Sequence, residues 1–399
     1  MTYDTKFHKM IDIIIAMSYS LMSWGANSHG QLGQGIESEE CVLPCEVDLS
    51  KCSLEPKKIK KIVGGAGHTL ILDDSGRVYS CGWNNKGQVG FPTKDSILSF
   101  RELNEKLKNK VIVDIACGWD CSAALTIEGT LLLWGSNRFG QLGKHPNSLQ
   151  WTHEPFEVVT GRKIKGISMG LRHTALLTED CKILVAGTGS KGQLGLSFSN
   201  SKESLSAAYN FTEVLTLSDI ESVSCGQYHT IAVAKDGNIY AFGDNKYGQL
   251  GLNTDACPKS FIPIKLSDVQ FKLPINMYSG WSHIIVLNDN NIFGWGRNTY
   301  GQLGITKLEK PSTWKATRIE NLPKMHRVSA GSEHNVALTE NGEILCWGWN
   351  EHGNCGNGHT KDVKFPEQLL LPYNYTGILI GSGAAHSFAL KVSKSQIDR

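Results

Sequence analysis

The amino-acid sequence predicts an all-β chain folded as a seven-bladed β-propeller. A ten-residue phrase, most regular as Trp134-Gly-Ser-Asn-Arg-Phe-Gly-Gln-Leu-Gly143, occurs seven times. A second phrase, Gly-x-x-His followed by a short apolar run, alternates with it seven times, once with Cys121 in place of His. Hairpin signals lie between the two. A fixed period near fifty residues marks a repeat architecture, and a unit of that size has room for a four-stranded blade.

The units follow one another in order. The chain opens with a strand-like Tyr19-Ser-Leu-Met-Ser-Trp-Gly25 that runs into the first Trp-Gly phrase, ending at Gly33. The next unit holds Gly65-Ala-Gly-His68, a hairpin signal over Leu70–Tyr79 with Gly76 at its turn, and a phrase ending at Gly90. Gly118-Trp-Asp-Cys121 then leads to Gly143, and Gly170-Leu-Arg-His173 to Gly195. Gly226-Gln-Tyr-His229 precedes an Asp236-Gly237 hairpin and Gly251. Gly280-Trp-Ser-His283 leads to Gly304, and Gly331-Ser-Glu-His334 to an Asn341-Gly342 hairpin and Gly356. The closing glycines stand 52 to 57 residues apart. Asp-Gly and Asn-Gly supply the positive φ angles of tight hairpins. The last phrase, Gly383-Ala-Ala-His386, has no Trp-Gly partner after it, and the first Trp-Gly phrase has no Gly-x-x-His before it. The two ends are therefore expected to share one blade, which closes the ring and removes two open sheet edges.

The expected organisation is an N-terminal extension at 1–18, a propeller at 19–392 and a tail at 393–399. Met1–Ala16 carries Lys6, Lys9 and a short apolar stretch but no small-x-small cleavage site. It is expected to be a disordered extension or the product of a start codon placed too early. Forty basic against 38 acidic residues, a net charge of +2, give no electrostatic case for nucleic acid. The longest apolar run, Ile11–Met17, is too short to enter and span a membrane.

Eleven cysteines without a C-x-x-C pair read as reduced thiols of an intracellular protein. Cys117 and Cys225 share a repeat position with Gly64, Met169, Ser279, Ala330 and Ser382, so that position is a packing slot. Only Cys41, Cys45 and Cys52 cluster enough to consider a metal, and none is expected. No phosphate loop, dinucleotide fingerprint or nucleophile elbow occurs. No cofactor and no covalent chemistry are expected.

A residue that recurs once per blade serves the blade. His68, His173, His229, His283, His334 and His386 are read as structural, each bonding a neighbouring backbone carbonyl near the axis. Trp24, Trp134, Trp295 and Trp347 are expected to wedge between blades. The informative positions are those the repeat leaves free. The two residues inside each Gly-x-x-His turn vary, and the turns should ring one face of the disc. That ring carries Trp119, Asp120, Arg172, Tyr228, Trp281 and Glu333, the aromatic and arginine content of an interface. The plain alternative is a set of solvated turns. Leu196–Leu217 reads as a long Ser-rich connection, Trp151 and Trp314 as aromatics in loops that cover blade edges, and Trp349-Asn-Glu-His352 as adding aromatic and charged groups to the last copy.

The two alternating phrases resemble the regulator of chromosome condensation family of seven-bladed propellers, over about residues 19–392. Within it, Ala116-Cys-Gly-Trp-Asp120, Gly170-Leu-Arg-His173, Ser279-Gly-Trp-Ser-His283, Gly331-Ser-Glu-His-Asn335 and Trp347-Gly-Trp-Asn-Glu-His-Gly353 are most similar to a branch of guanine nucleotide exchange factors tied to secretion. The resemblance implies a Ras-superfamily small GTPase as partner, a secretory-machinery protein as a further one, and a cytoplasmic location with the nucleus as a second compartment. In the founding exchanger one face meets the GTPase and a β-wedge disturbs its phosphate site. Three departures stand against a full transfer. The third Trp-Gly phrase, which the wedge interrupts there, is the most regular one here. Only Asp120 offers a carboxylate at the turns that assist exchange. The founder's basic chromatin-binding tail has no counterpart in Met1–Ser18. Two readings stay open: an exchange factor acting through the face around Trp119, Asp120, Arg172, Trp281 and Glu333, and a non-catalytic scaffold that binds through the same ring.

Overall fold

A computed structural model describes residues 17–196, 206–253, 255, 257–267, 270–369 and 375–394. Seven four-stranded antiparallel sheets are arranged as blades of a propeller. One blade shows the pattern: Ile59–Gly64 is innermost, then His68–Asp73, Val78–Gly82 and Ile97–Glu102 outermost. The Gly-x-x-His turn joins the first strand to the second, and the Trp-Gly phrase joins the third to the fourth. Both turns therefore emerge on the same face of the disc. The residues placed in the expected extension at 1–16 and in the tail at 395–399 lie outside the described residues.

The seventh blade is composite. Tyr375–Ser382 and His386–Lys394 from the C-terminal end pair with Met17–Asn27 and Ser38–Glu46 from the N-terminal end. Met17 opposite Lys394 through Gly25 opposite His386 form an unbroken antiparallel ladder. The shared closing blade expected from the two half-units is present. Strand pairing thus spans Met17 to Lys394, slightly beyond the expected 19–392.

Burial grades across a blade. The second strand, HTLILD in one copy and HTALLT in another, is buried at every position because neighbouring blades cover both of its faces. The outermost strands are mostly exposed or half-buried, with a buried residue only here and there. Cores form between blades: Leu70, Leu72 and Val78 of one pack with Ile115, Ala124, Leu132 and Trp134 of the next.

The Trp-Gly phrase folds as a self-contained turn. Asn137 Oδ1 accepts the Leu142 amide at 2.9 Å, and its Nδ2 donates to the carbonyls of Lys144 and Leu149. Gln141 Oε1 accepts the Phe139 amide at 2.9 Å, a bond repeated at Gln31, Gln88, Gln193, Gln249 and Gln302. Gly135 has φ +97°, and a Cβ on it would stand 2.6 Å from the Cys121 Cα. The phrase also glues blades. The indoles of Trp24, Trp134, Trp295 and Trp347, all fully buried, donate to the carbonyls of Asn354, Gln88, Gln249 and Gln302 in the preceding blade.

The histidines bridge blades too, through a side chain of the next blade that passes the bond on to a carbonyl. His68 Nε2 lies 2.9 Å from Ser122 Oγ of the next blade, and that hydroxyl donates to the Gln88 carbonyl at 2.7 Å. Since the hydroxyl proton is committed, His68 must donate from Nε2. The relay repeats from His173 to Thr230, His334 to Ser387 and His386 to Thr69, and from His283 to the Asn335 amide oxygen. At His229 the matching position of the next blade is Ile284, and neither ring nitrogen has a protein partner.

Candidate interaction face

The innermost strands line an axial channel of about 650 Å³. At one mouth sit the first variable residues of the Gly-x-x-His turns, Ala66, Trp119, Leu171, Trp281, Ser332 and Ala384. Backbone bonds tie these turns into a necklace. The Gln227 amide donates to the Trp281 carbonyl, Trp281 to Ser332, Ser332 to Ala384, Ala384 to Gly65, and Ala66 to Trp119, at 2.7–3.1 Å. Trp119 and Trp281 come from blades three apart, yet their ring centroids are 5.2 Å apart with planes at 41°. The two indoles meet at the channel mouth.

The second variable residues point outward, toward the Trp-Gly turns. Arg172 lies with its guanidinium carbon 4.3 Å from the Phe139 ring centroid and 5.9 Å from that of Tyr228. Asp120 is half-buried beside Ser136, with Lys86 and Arg138 near it. Burial pushes its carboxyl above the usual range, and the Ser136 hydrogen bond opposes this.

Glu333 departs from expectation. Instead of lying open on the face it is only 4 % exposed, with Oε1 3.0 Å from Arg297 Nη1 and Oε2 bonded by the Gln302 amide. Arg297 sits in the turn region of the preceding Trp-Gly phrase and reaches across the blade seam, which folds Glu333 inward. Burial pushes this carboxyl up as well, against the pull of the Arg297 charge. Trp119, Asp120, Arg172, Tyr228 and Trp281 remain partly exposed.

Of a second, outer ring, sequence reasoning noted only Trp349 and His352. His29 stacks on Trp83 with centroids 4.4 Å apart. Arg297 lies over Tyr247 at 5.0 Å and Tyr300 at 4.7 Å, and Trp349 contacts both Tyr300 and His352. These side chains occupy the third and sixth positions of the ten-residue phrase. The signal was available: those positions vary from copy to copy just as the Gly-x-x-His interiors do. Inner and outer rings together make one surface of aromatic rings interleaved with arginines.

The other singled-out segments serve the blades. Leu196–Leu217 includes a fourth strand, Ala207–Glu213, whose Tyr209 and Phe211 pack against Gly140 and Gly143. Residues 197–205 of it lie outside the described residues. Trp314 is in an outer strand and packs on Gly248, while Trp151 opens another and is 39 % exposed. All eleven cysteines are free thiols. Burial raises Cys117 to about 12 and Cys225 to about 11, as suits packing residues. Among the described residues no helix is long and apolar enough to cross a membrane.

Comparison with known proteins places this geometry. The secretion-regulating guanine nucleotide exchange factor of Mus musculus is 32% identical over 407 residues, covering 93% of this chain and 83% of that protein. The ultraviolet-B receptor UVR8 of Arabidopsis thaliana is also 32% identical, over 351 residues, covering 86% of this chain and 76% of the receptor. The crystal structure of Prp20p from Saccharomyces cerevisiae, described with its binding properties to Gsp1p and histones, superposes with a TM-score of 0.81 at 23% identity, covering 95% of this chain and 92% of that one. The model of the RCC1-like domain matches residues 20–389, so this seven-bladed propeller belongs to the RCC1-like domain family.

Proposed function

We propose that the chain is a guanine nucleotide exchange factor or regulator for a Ras-superfamily small GTPase, working in the cytoplasm with a link to secretion. The observation that carries this reading is the single continuous face of Trp119, Trp281, Arg172, Tyr228 and Asp120 with its outer aromatic ring, in a chain similar to a secretion-regulating exchange factor over 93% of its length. Large rigid aromatics and arginine are the residue types that dominate interface energies. Such a protein needs no nucleophile. It needs a surface that holds the nucleotide-free GTPase more tightly than the loaded one, and that difference drives release. Trp119 and Trp281 supply the anchor at the centre of the face, and Asp120, kept in a raised-pKa setting, is the carboxylate closest to them in sequence.

The test is release of fluorescent GDP from a panel of purified small GTPases. Acceleration on one of them is expected, falling at least about tenfold, the equivalent of ~1.4 kcal/mol, in Trp281→Ala and in Asp120→Ala. Failure to accelerate release from any GTPase would sink the exchange reading. A second reading is favoured by one observation: the Trp134–Gly143 turn is closed by its own Asn137 and Gln141 bonds and carries no inserted segment. Tight GTPase binding without release, weakened by the same substitutions, would identify a scaffold.

A further inference from the structure

We propose that Cys41 and Cys45 are a redox-modification site, closing to a reversible disulfide on the outer strand of the ring-closing blade. Ser38–Glu46 pairs with Met17–Asn27, but the ladder jumps: Ser23 faces Cys45 and Gly25 faces Cys41. Val42, Leu43 and Pro44 therefore oppose Trp24 alone and bow out as a bulge. The two cysteines stand at its neck, with their sulfurs 3.3 Å apart. Other outer strands bow at the matching place, between Thr152 and Phe156, Ala208 and Thr212, Ser260 and Ile264, and Thr313 and Thr317. The fold makes the neck, and this blade alone among those five puts a thiol on both sides of it. Cys52, the next cysteine, bonds the Leu49 carbonyl at 3.4 Å instead.

The chemistry balances with a peroxide as oxidant. Cys45 is exposed and Cys41 only partly so. The Cys45 thiolate attacks one peroxide oxygen, hydroxide leaves, and Cys45 becomes a sulfenic acid. Cys41 sulfur then attacks Cys45 sulfur, its proton passes to the departing oxygen, and water leaves. Two thiols and one hydrogen peroxide give one disulfide and two waters. Burial, and then the Cys45 thiol bonded to it, raise Cys41 to about 11 and keep it a thiol, so the exposed Cys45 is the sulfur that peroxide meets first. A bond that closes so short a loop in an exposed strand is of the labile kind.

The bulge is also a seat. A Cβ on Gly353 would stand 2.6 Å from the Val42 Cα, and the Gly358 amide donates to the Val42 carbonyl at 3.0 Å. Gly353 and Gly358 belong to the turn that presents Trp349 and His352 on the candidate face. Locking the neck fixes the surface on which that turn rests.

Trypsin leaves both cysteines in one peptide, residues 10–51, with no other cysteine in it. The folded full-length chain is treated with hydrogen peroxide, blocked with iodoacetamide and digested. The peptide should lose two hydrogens in mass and resist alkylation until dithiothreitol is added. This should occur at least about tenfold faster than in the urea-unfolded chain, where the neck is gone. In Cys45→Ser, Cys41 should stay fully alkylatable after the same exposure. Alkylation of both cysteines in the treated wild-type chain, or oxidation of Cys45 to sulfinic acid without the crosslink, overturns the proposal.

Discussion

Six buried histidines stand one to a blade around the axis, each held neutral by loss of solvent. Burial lowers His68, His229, His334 and His386 to about 3, and His173 and His283 to about 4, from an ordinary 6.5. In the unfolded chain these rings take up protons as pH falls through about 6.5, while in the folded chain they do not. Their contribution is therefore complete above the unfolded value and is lost on acidification toward the folded values. Urea unfolding should show stability falling below about pH 6.5, on the order of 1 kcal/mol per histidine per pH unit, and His283→Gln should flatten that slope. A flat profile between neutral pH and about pH 5 would contradict the assignment. That the histidines hold one equivalent position in each of six blades was legible from their recurrence. Their partners were not, because the hydroxyl of Ser122 or Thr230 that receives them comes from the neighbouring blade, some fifty residues away.

At the scale of the element, one glycine of the Gly-x-x-His phrase and one in a connection between blades separate steric need from conformational need. Gly170 supports the His173 ring: a Cβ there would stand 2.3 Å from His173 Cε1 and 2.5 Å from the Gly226 carbonyl oxygen. Gly161 has φ +70° but nothing within 4 Å of a Cβ. Gly170→Ala should cost about 3 kcal/mol through overpacking, and Gly161→Ala about 1 kcal/mol through the left-handed backbone alone. Urea denaturation of the two variants decides it; equal losses would mean that the histidine platform can yield. The same element scale explains why most of the outer aromatic ring escaped sequence reading. Tyr247 and Tyr300 lie inside phrases whose Asn and Gln are bonded within the turn, so those phrases read as structural.

The molecule as a whole depends on the ladder between Met17–Asn27 and His386–Lys394. Removing residues 386–399 would expose two strand edges and open the circle of inter-blade cores. It should abolish the cooperative thermal transition, whereas removing 395–399 should leave the midpoint unchanged; circular dichroism melts of both truncations test this, and a cooperative melt of the longer deletion would show that the ring tolerates a gap. Closure also gives the candidate face its geometry, since Trp119 and Trp281 meet only because seven blades complete a circle of that radius.

The repeat alone determined the number of blades, the shared closing blade and the glue residues, because a period near fifty with paired turn phrases admits few other architectures. It also put the variable Gly-x-x-His turns on one side of the disc, since turns that recur once per blade must emerge together. Which side chains stay open on that face was decided only in three dimensions. Arg297 reaches across a blade seam and buries Glu333, the two tryptophans meet across the axis, and a bulge brings Cys41 to Cys45. Each depends on the distance between groups on different strands or blades, which is set by packing and ring closure rather than by spacing along the chain.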